Sequence, residues 1–453
     1  MRFTAIALDY DGTIARDGAV APHVLEGLRR LQESGRKLLL VTGRELEELL
    51  RVFPGIGIFD RVVAENGALY YRPDTGERRE LATPPPEALI AALKTSGVPL
   101  AIGHTILATV RPNETAVLQC IADQGLEHQV IFNKGAVMVL PPGCNKASGL
   151  KFALADLGLS PHNLVAAGDG ENDHALLEMA EYSVATANAV PMLKKTADLV
   201  TVATHGDGIL EVVAALLDSD LAALPPRRQR HLPVLGTDWL NAEVKFPEYP
   251  GSILLAGRPS DTDELAMTLL RRICNAQYQF CVLDRRGHFL GFKPAIIFGT
   301  PENPPALEEI STALEKPDAQ CIVCMAAVPD QQQYLGRLQA LLGDIRTRLG
   351  RPHWILIDET RGAAAKPEMQ QQVWPGEGNS IFISEDPAAL ERGVLASFDV
   401  IAASGPDAAP LLRTFAAELG EAEPALPGRP PGEGEALVWF RKLRQPVALL
   451  DLR

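Results

Sequence analysis

Short apolar runs alternate with amphipathic stretches over the first half of the chain. The apolar runs predict strands at 3–8, 37–41, 61–64, 163–167, 182–185 and 198–202. The helical spacing of apolar positions predicts helices at 22–34, 45–51, 146–157 and 173–180. Because strands that alternate with helices form parallel sheets with helices on both faces, this half predicts a doubly wound α/β core.

Residues 83–140 interrupt this alternation. The stretch TPPPEALIAALKTSG predicts a helix that begins with prolines, and NETAVLQCIADQG predicts a second helix. The strand-like runs that follow these helices are 98–103, 106–111, 128–133 and 136–140. We therefore predict a small α+β cap that is inserted into a core formed by residues 1–82 and 141–216.

A second α/β pattern covers residues 232–453, after a proline-containing linker that we predict at 217–231. Strands are predicted near 252–256, 279–284, 321–326, 353–357, 380–384 and 399–403. Helices are predicted near 262–275, 332–349, 387–396 and 408–418. The stretch 424–434, which is rich in proline and glycine, is most simply a surface loop.

Composition adds limits on the class of protein. The 453 residues are too many for one ordinary domain, and the contents of 46% hydrophobic and 22% charged residues are typical of globular proteins. The net charge of −14 disfavours non-specific binding to nucleic acid. No apolar run reaches the roughly 18 residues of a membrane helix, and the first apolar segment is too short for a signal peptide. Six scattered cysteines, among them Cys321 and Cys324 in an apolar run, are expected to be thiols in a reducing cytoplasm.

Four polar clusters lie where strands end or helices begin in the first domain. Asp9 and Asp11 follow the first strand in DYDGT, and Thr42 follows the second strand in LLLVTGRE. Lys146 begins a helix in GCNKASGL, and the cluster GDGENDH follows a later strand. Sites in parallel sheets lie beyond the carboxyl ends of the strands. Because neighbouring carboxylates repel each other and are costly to bury, the first cluster predicts a bound cation.

Together the clusters resemble the motifs D-x-D-G-T, T-G-R, N-K and G-D-x-x-N-D of the haloacid dehalogenase superfamily. The inserted cap resembles that of the Cof-like, class IIB phosphatases, and AENGA at 64–68 matches a stretch of that subgroup. The resemblance extends from residue 1 to about residue 215. It implies a Mg²⁺-dependent phosphatase, whose substrate is a small phosphorylated metabolite of the sugar phosphate or phosphoglycolate type.

This resemblance also implies the roles of individual residues. Asp9 is the expected nucleophile, which forms an aspartyl-phosphate, and Asp11 is the expected general acid and base. Thr42 and Lys146 complete the implied catalytic set by binding the phosphate and neutralising charge. The implied Mg²⁺ ligands are Asp9, the backbone carbonyl of Asp11, and Asp169.

Other residues are implied to support this chemistry. Asp173 is expected to orient the metal ligands or Lys146. Gly43, Arg44 and Asn172 are implied to bind the substrate. The cap residues that could also face the substrate are His104, Arg111 and Lys134.

In the second half, GSILLAGRPSDTDELAMTLLRRI has the strand–loop–helix layout of a phosphate-binding P-loop, G-x-x-x-x-G-K-[ST]. Counted from Gly257, Thr262 stands at the second glycine, Asp263 at the lysine and Glu264 at the hydroxyl residue. Two carboxylates at these places would repel a triphosphate at the helix N-terminus.

Further stretches resemble P-loop ATPases of the HerA/FtsK-like group. FCVLDRRGHF is similar to their second strand, and SIFISED is similar to a later, sensor-like strand. PHWILIDETRG resembles a Walker B strand, with Asp358 and Glu359 at the metal-binding and water-activating positions, although such endings also arise by chance in many sheets. We expect a degenerate P-loop-like domain without ATPase activity, kept for folding, assembly or regulation.

Two other functions stay open at this point. The chain is a regulatory or scaffold protein whose C-terminal domain binds a partner or nucleotide, or it is a phosphomutase or phosphotransferase with a second phosphate acceptor in the cap. The complete set of Asp9, Asp11, Thr42, Lys146 and Asp169 favours the phosphatase. No membrane or nucleic-acid partner is expected, whereas a homo-oligomer or a protein partner of the C-terminal domain is left open.

Overall fold

A computed structural model describes residues 1–133, 135–359, 378–386, 390–443 and 446–452. The chain divides into two compact units, Met1–Arg228 and Gln229–Arg453. Within the described ranges, every helix is too short or too polar to cross a membrane.

The first unit combines the core and the cap. Its strands are β1 (Ala5–Leu8), β2 (Lys37–Val41), β3 (Arg61–Ala64), β4 (Leu69–Tyr71), β5 (Arg78–Glu80), β6 (Ala101–Ile102), β7 (Leu107–Val110), β8 (Gln129–Asn133), β9 (Ala136–Leu140), β10 (Leu164–Gly168), β11 (Tyr182–Ala185) and β12 (Leu199–Val200). Its helices are α1 (Pro22–Glu33), α2 (Leu46–Val52), α3 (Glu87–Thr95), α4 (Glu114–Asp123), α5 (Lys146–Asp156), α6 (His174–Met179), α7 (Pro191–Thr196) and α8 (His205–Ser219).

The core sheet has the strand order β12-β11-β10-β1-β2-β3-β4-β5, and its strands from β12 to β3 are parallel. Helices α1 and α8 pack on one face, and α5 and α6 pack on the other. Because both faces are covered, strands such as β1 are apolar and buried along their whole length. Strand β1 lies between β2 and β10, so the connections after β1 and β10 leave the sheet in different directions. This reversal of strand order opens a crevice at the carboxyl ends of these strands.

The cap enters the chain after β5 and ends before α5. Its sheet is antiparallel, with the order β6-β7-β9-β8. Helices α3 and α4 cover one face of this sheet with buried apolar side chains. The cap therefore has the predicted order of elements, a helix and two strands repeated twice.

The second unit is a further α/β region. Its strands are β13 (Val234–Thr237), β14 (Glu243–Lys245), β15 (Ser252–Ala256), β16 (Phe280–Asp284), β17 (Ile296–Phe298), β18 (Cys321–Cys324), β19 (Trp354–Asp358), β20 (Asn379–Ser384), β21 (Val400–Ser404), β22 (Glu435–Phe440) and β23 (Ala448–Asp451). Its helices are α9 (Pro259–Asn275), α10 (Leu307–Leu314), α11 (Gln331–Leu349), α12 (Arg392–Ser397) and α13 (Ala408–Leu419). The sheet order is β14-β13-β23-β22-β21-β15-β20-β19-β16-β18-β17, with parallel pairing from β21 to β17.

Several elements differ from the prediction. The predicted strands and helices do not include β4, β5, β13, β14, β17, β22, β23, α7, α8 and α10. Strand β5 shows why, because its residues are all exposed and carry no apolar alternation. Helix α8 continues to Ser219, and Leu221 is buried, so the chain stays packed on the core over the first part of the predicted linker 217–231. The helix predicted at 387–396 begins at Arg392, and residues 387–389 lie outside the described residues.

A close backbone contact fixes the start of α5 against the loop after β3. Gly67 has φ +101°, and a Cβ atom there would lie 1.9 Å from the carbonyl oxygen of Asn145. Gly149 faces the same contact, since its Cβ would lie 2.6 Å from the Cα of Gly67. Only glycine allows this approach, which sets the position of Lys146 at the first turn of α5.

We predict that Gly67→Ala lowers the free energy of unfolding by about 3 kcal/mol, because backbone strain and overpacking add. The matched control is Gly76→Ala, which shares the positive φ (+74°) but has open space around the new methyl group. That control should lose only about 1 kcal/mol. Equal losses for the two variants, measured by chemical denaturation, would refute the role of the contact.

Candidate active site

The carboxyl ends of β1, β2 and β10 lie side by side in the core sheet. Asp9, Thr42 and Asp169 directly follow these strands. All three are buried, with exposures of 5%, 1% and 1%. The sheet order therefore brings together residues that are far apart in the sequence.

Lys146 supplies the cation at this edge. The side chain of Asn145 accepts a hydrogen bond from the backbone N–H of Ser148, and the Ser148 hydroxyl accepts one from the N–H of Asn145, so a capping box fixes the first turn of α5. The Nζ atom of Lys146 lies 2.6 Å from Asp9 Oδ1 and 2.5 Å from Asp173 Oδ1. Its side chain is 1% exposed, so these ion pairs form away from water.

Asp173 holds the loop after β10 in place. Its Oδ2 accepts hydrogen bonds from the backbone N–H groups of Asp169 and Gly170, each at 2.8 Å. Its Oδ1 faces Lys146. Because both oxygens of Asp173 accept hydrogen bonds, this residue positions Lys146 and the backbone of Asp169 and Gly170.

Carboxylate oxygens of Asp9, Asp169 and Asp173 lie within 4.8 Å of one another, and all three residues are buried. The hydroxyl of Thr13 is 3.4 Å from Asp9 Oδ2 and 3.5 Å from Asp169 Oδ1. Three carboxylates against one ammonium leave a deficit of positive charge. A cluster of oxygen donors with excess negative charge fits a hard divalent cation such as Mg²⁺.

The pKa of Asp9 reflects this imbalance. Burial and the neighbouring carboxylate of Asp173 raise the pKa of Asp9 to about 8, although Lys146 acts in the opposite direction. Burial alone would lower the pKa of Lys146, but Asp173 and Asp9 raise it above its ordinary value. The lysine therefore stays charged, while the ionised form of Asp9 needs further positive charge nearby.

Asp11 turns away from Asp9. Its carboxylate accepts two hydrogen bonds from Arg44, Nε to Oδ2 at 2.6 Å and Nη2 to Oδ1 at 2.7 Å. Arg44 also contacts Glu48 at 2.7 Å and lies over the ring of Tyr10. The side chain of Asp11 is 40% exposed, so this carboxylate lies at the rim of the site.

The predicted substrate-binding residues lie on the loops after β2 and β10, and Asn66, in the segment after β3, contacts both loops. A Cβ atom on Gly43 would lie 3.1 Å from Asn66 Nδ2. Asn172 donates from Nδ2 to Asn66 Oδ1 at 2.8 Å. The hydroxyl of Thr42 accepts a hydrogen bond from the N–H of Arg44 at 3.1 Å, which keeps this turn tight.

Two residues to which the sequence analysis gave no role hold the site together. Asn188 donates from Nδ2 to Asp169 Oδ2 at 3.0 Å and to the carbonyl oxygen of Gly12 at 2.8 Å. It lies beyond the carboxyl end of β11, and this position was the available signal. Glu65 is fully buried and accepts hydrogen bonds from the N–H of His104 and from the N–H and hydroxyl of Thr105, at 3.0, 2.8 and 2.9 Å. Glu65 therefore joins the core to a turn of the cap.

Two of the cap candidates contact other side chains of the protein. The Nε2 atom of His104 lies 3.1 Å from the carboxylate of Glu47 on α2, a contact that raises the pKa of His104. The guanidinium of Arg111 lies over the ring of Phe132, 4.8 Å from its centre. Lys134 lies outside the described residues.

In the second unit, the positions aligned with a P-loop and a Walker B strand meet at one edge of the sheet. Arg286 donates from Nη2 to Asp263 Oδ1 and from Nε to Asp358 Oδ2, both at 2.9 Å. Arg285 contacts Glu359 at 2.8 Å, and His288 contacts Asp263 at 2.6 Å. Arginine side chains of the chain itself thus pair with the acids at this edge. Thr360–Gly362 of the Walker B-like stretch lie outside the described residues.

Comparisons with known proteins concern the first unit. Residues 6–104 and 106–213 match the family of haloacid dehalogenase-like hydrolases. The chain is 32% identical over 217 residues to a phosphoglycolate phosphatase of Methanothermobacter thermautotrophicus, an alignment that covers 46% of this chain and 96% of that protein. A phosphoglycolate phosphatase of Haloarcula marismortui is 32% identical over 227 residues, which covers 47% of this chain and 97% of the relative.

Among solved structures, a haloacid dehalogenase-like hydrolase from Bacteroides thetaiotaomicron is similar, with 20% identity and a TM-score of 0.42. The match covers 47% of this chain and 99% of that one.

We predict that Lys146→Met lowers the free energy of unfolding by about 3–5 kcal/mol, because it leaves two buried carboxylates without their cation. Lys151→Met is the matched control on the exposed face of α5 and should change it by no more than about 0.5 kcal/mol. Adding Asp9→Asn to Lys146→Met should recover part of the loss, since one unpaired charge is removed. A Lys146→Met protein as stable as its control in urea would refute the ion-pair assignment.

Proposed function

The first half of the chain belongs to the haloacid dehalogenase-like hydrolases, and we propose that it is a Mg²⁺-dependent phosphatase for a small phosphorylated metabolite. The observation that carries the proposal is the convergence of Asp9, Lys146, Asp169 and Asp173 at one edge of the core sheet. Asp9, Asp169 and the backbone carbonyl of Asp11 would hold the cation. When bound, Mg²⁺ would neutralise negative charge shared between these oxygens and the phosphate.

In the first step, a carboxylate oxygen of Asp9 forms a bond to phosphorus while the bond to the ester oxygen breaks. Asp11 would enter this step protonated, with one of its two hydrogen bonds from Arg44 released, and would give its proton to the leaving oxygen. In the second step, Asp11 takes a proton from water, whose oxygen attacks phosphorus and releases Asp9. Lys146 offsets charge on Asp9 and on the phosphate, and the Thr42 hydroxyl donates to a phosphate oxygen.

Arg44 would link acid–base chemistry to substrate binding. It holds Asp11 at the rim of the site, where a leaving group has to arrive. Its hydrogen bond with Asp11 raises the pKa of Arg44, so it remains a cation beside the incoming phosphate ester. Gly43 and Asn172 would complete the contacts on the two loops beside it.

The names of the relatives support a broad class of substrate, not one compound. Phosphoglycolate phosphatases that are 32% identical support a small phosphorylated acid, and sugar phosphates are the other expected class. The cysteines of the chain are free thiols, which supports a reducing, cytoplasmic location.

For the second unit we propose a degenerate P-loop-like domain without ATPase activity, which serves assembly, regulation or binding of a protein partner. Asp263 stands at the place of the P-loop lysine and is paired with Arg286 and His288. Asp358, at the place of a Walker B acid, is fully buried and paired with the same arginine. Because these acids already have cations from the chain, they have no need of a nucleotide-bound metal.

We predict that the full chain hydrolyses p-nitrophenyl phosphate with Mg²⁺ and loses this activity in EDTA. Asp9→Asn should lower kcat by roughly 10⁴-fold or more, because an amide cannot act as the nucleophile. Asp17→Asn, in the exposed loop nearby, is the control and should keep wild-type turnover. Wild-type turnover in Asp9→Asn would show that the catalytic assignment is wrong.

We also predict that the full-length Asp9→Asn protein binds ATP–Mg²⁺ with a Kd no tighter than roughly 1 mM, as measured by equilibrium dialysis. The physical reason is the placement of acids where a P-loop offers a lysine and a hydroxyl. Micromolar binding that also protects the backbone of residues 257–263 from hydrogen exchange would contradict the proposal.

A further inference from the structure

One face of the cap sheet is turned towards the site. Met138 on β9 marks this face, since its Sδ lies 2.7 Å from Asn66 Nδ2 and its Cε would lie 3.3 Å from a Cβ on Gly43. In the register of β8 and β9, Ile131 pairs with Met138 and Asn133 pairs with Ala136. Because side chains two residues apart share a face of a strand, Asn133 lies on the same face as Met138.

Asn133 is the polar position of this face that lies next to the loop after β10. A Cβ atom on Gly170 would lie 2.6 Å from Asn133 Oδ1 and 3.0 Å from Asn172 Oδ1. Gly170 directly follows Asp169, so the two amides lie beside the acidic cluster. The other polar side chain of β8 on this face, Gln129, donates to the carbonyl oxygens of Pro141 and Cys144 and is thereby committed to the hinge of the cap.

Both amide oxygens are buried and, among the residues that the structure describes, have no hydrogen-bond partner. The orientation of the Asn172 amide is set by its Nδ2, which donates to Asn66 Oδ1. Its Oδ1 is therefore turned away from that partner. Buried acceptors are normally satisfied, so two unsatisfied acceptors beside Gly170 call for donors that enter from outside the protein.

We infer that Asn133 and Asn172 accept hydrogen bonds from hydroxyl groups of the leaving group, which makes Asn133 a specificity-determining residue of the cap. The inference rests on the proposed phosphatase function and narrows its substrate class. The preferred substrate would then be a phosphorylated polyol or sugar and not phosphoglycolate. At neutral pH the carboxylate of phosphoglycolate offers no donor to two carbonyl oxygens and would be repelled by them.

The middle of this face is apolar. Ile131 pairs with Met138 in the register of β8 and β9, and Ala108 pairs with Met138 in the register of β7 and β9. Asn133 lies at one end of this apolar surface. An apolar surface with few placed polar groups is typical of a site that recognises a small molecule.

The test compares kcat/KM of the full chain with Mg²⁺ for glycerol 3-phosphate and for n-propyl phosphate, which has the same carbon chain without hydroxyls. The wild-type protein should prefer glycerol 3-phosphate by about tenfold or more, and Asn133→Ala should remove most of that preference. Activity on n-propyl phosphate and on p-nitrophenyl phosphate should fall far less in the variant than activity on glycerol 3-phosphate. Gln119→Ala, on the outer helix of the cap, is the control and should leave the ratio as in the wild type.

Separate results distinguish this inference from the proposed function. An Asn133→Ala protein that hydrolyses p-nitrophenyl phosphate normally and keeps the wild-type ratio would overturn the inference alone. A wild-type preference for phosphoglycolate that is lost in Asn133→Ala would also overturn it, because the amide would then recognise an acid. A folded wild-type protein that is inactive on every ester would overturn the phosphatase function and the inference together.

Discussion

Three buried carboxylates share one buried ammonium group at the edge of the core sheet, and the geometry of the candidate site depends on that imbalance. Lys146 contacts Asp9 and Asp173, whereas Asp169 lies within reach of the same cluster. Removing these charges from water costs several kcal/mol per ion, a cost that one lysine does not offset. The arrangement therefore lowers the free energy of unfolding, and it is suited to binding a cation and an anionic ester.

The short segment Glu65–Gly67 connects this cluster to the cap. Glu65, Asn66 and Gly67 all have positive φ, which is a strained conformation for the first two residues. Glu65 accepts hydrogen bonds from the cap, Asn66 contacts the loop that carries Asn172, and Gly67 touches the turn before Lys146. Strain of this kind persists where surrounding contacts determine the backbone. The segment thus fixes the cap, the loop that carries Asn172, and Lys146 relative to one another.

The two units differ in how far the charge of acidic side chains at a sheet edge is balanced by basic side chains. In the second unit, Asp263, Asp358 and Glu359 are paired with Arg285 and Arg286. Three carboxylates there face two guanidinium groups, so the local excess of negative charge is small. In the first unit three carboxylates face one ammonium group, and this larger imbalance is the physical reason why we propose catalysis for one unit only.

The sequence by itself determined the parallel core strands and the polar residues that follow them, because strands buried on both faces are apolar throughout and end abruptly. It could not place exposed elements such as β5, which carry no apolar pattern. Only the tertiary structure decided that Arg44 binds Asp11 and that Asn133 of the cap lies above Gly170. These contacts depend on sheet order and on loop backbone angles, which bring distant residues together and leave no local periodicity in the sequence.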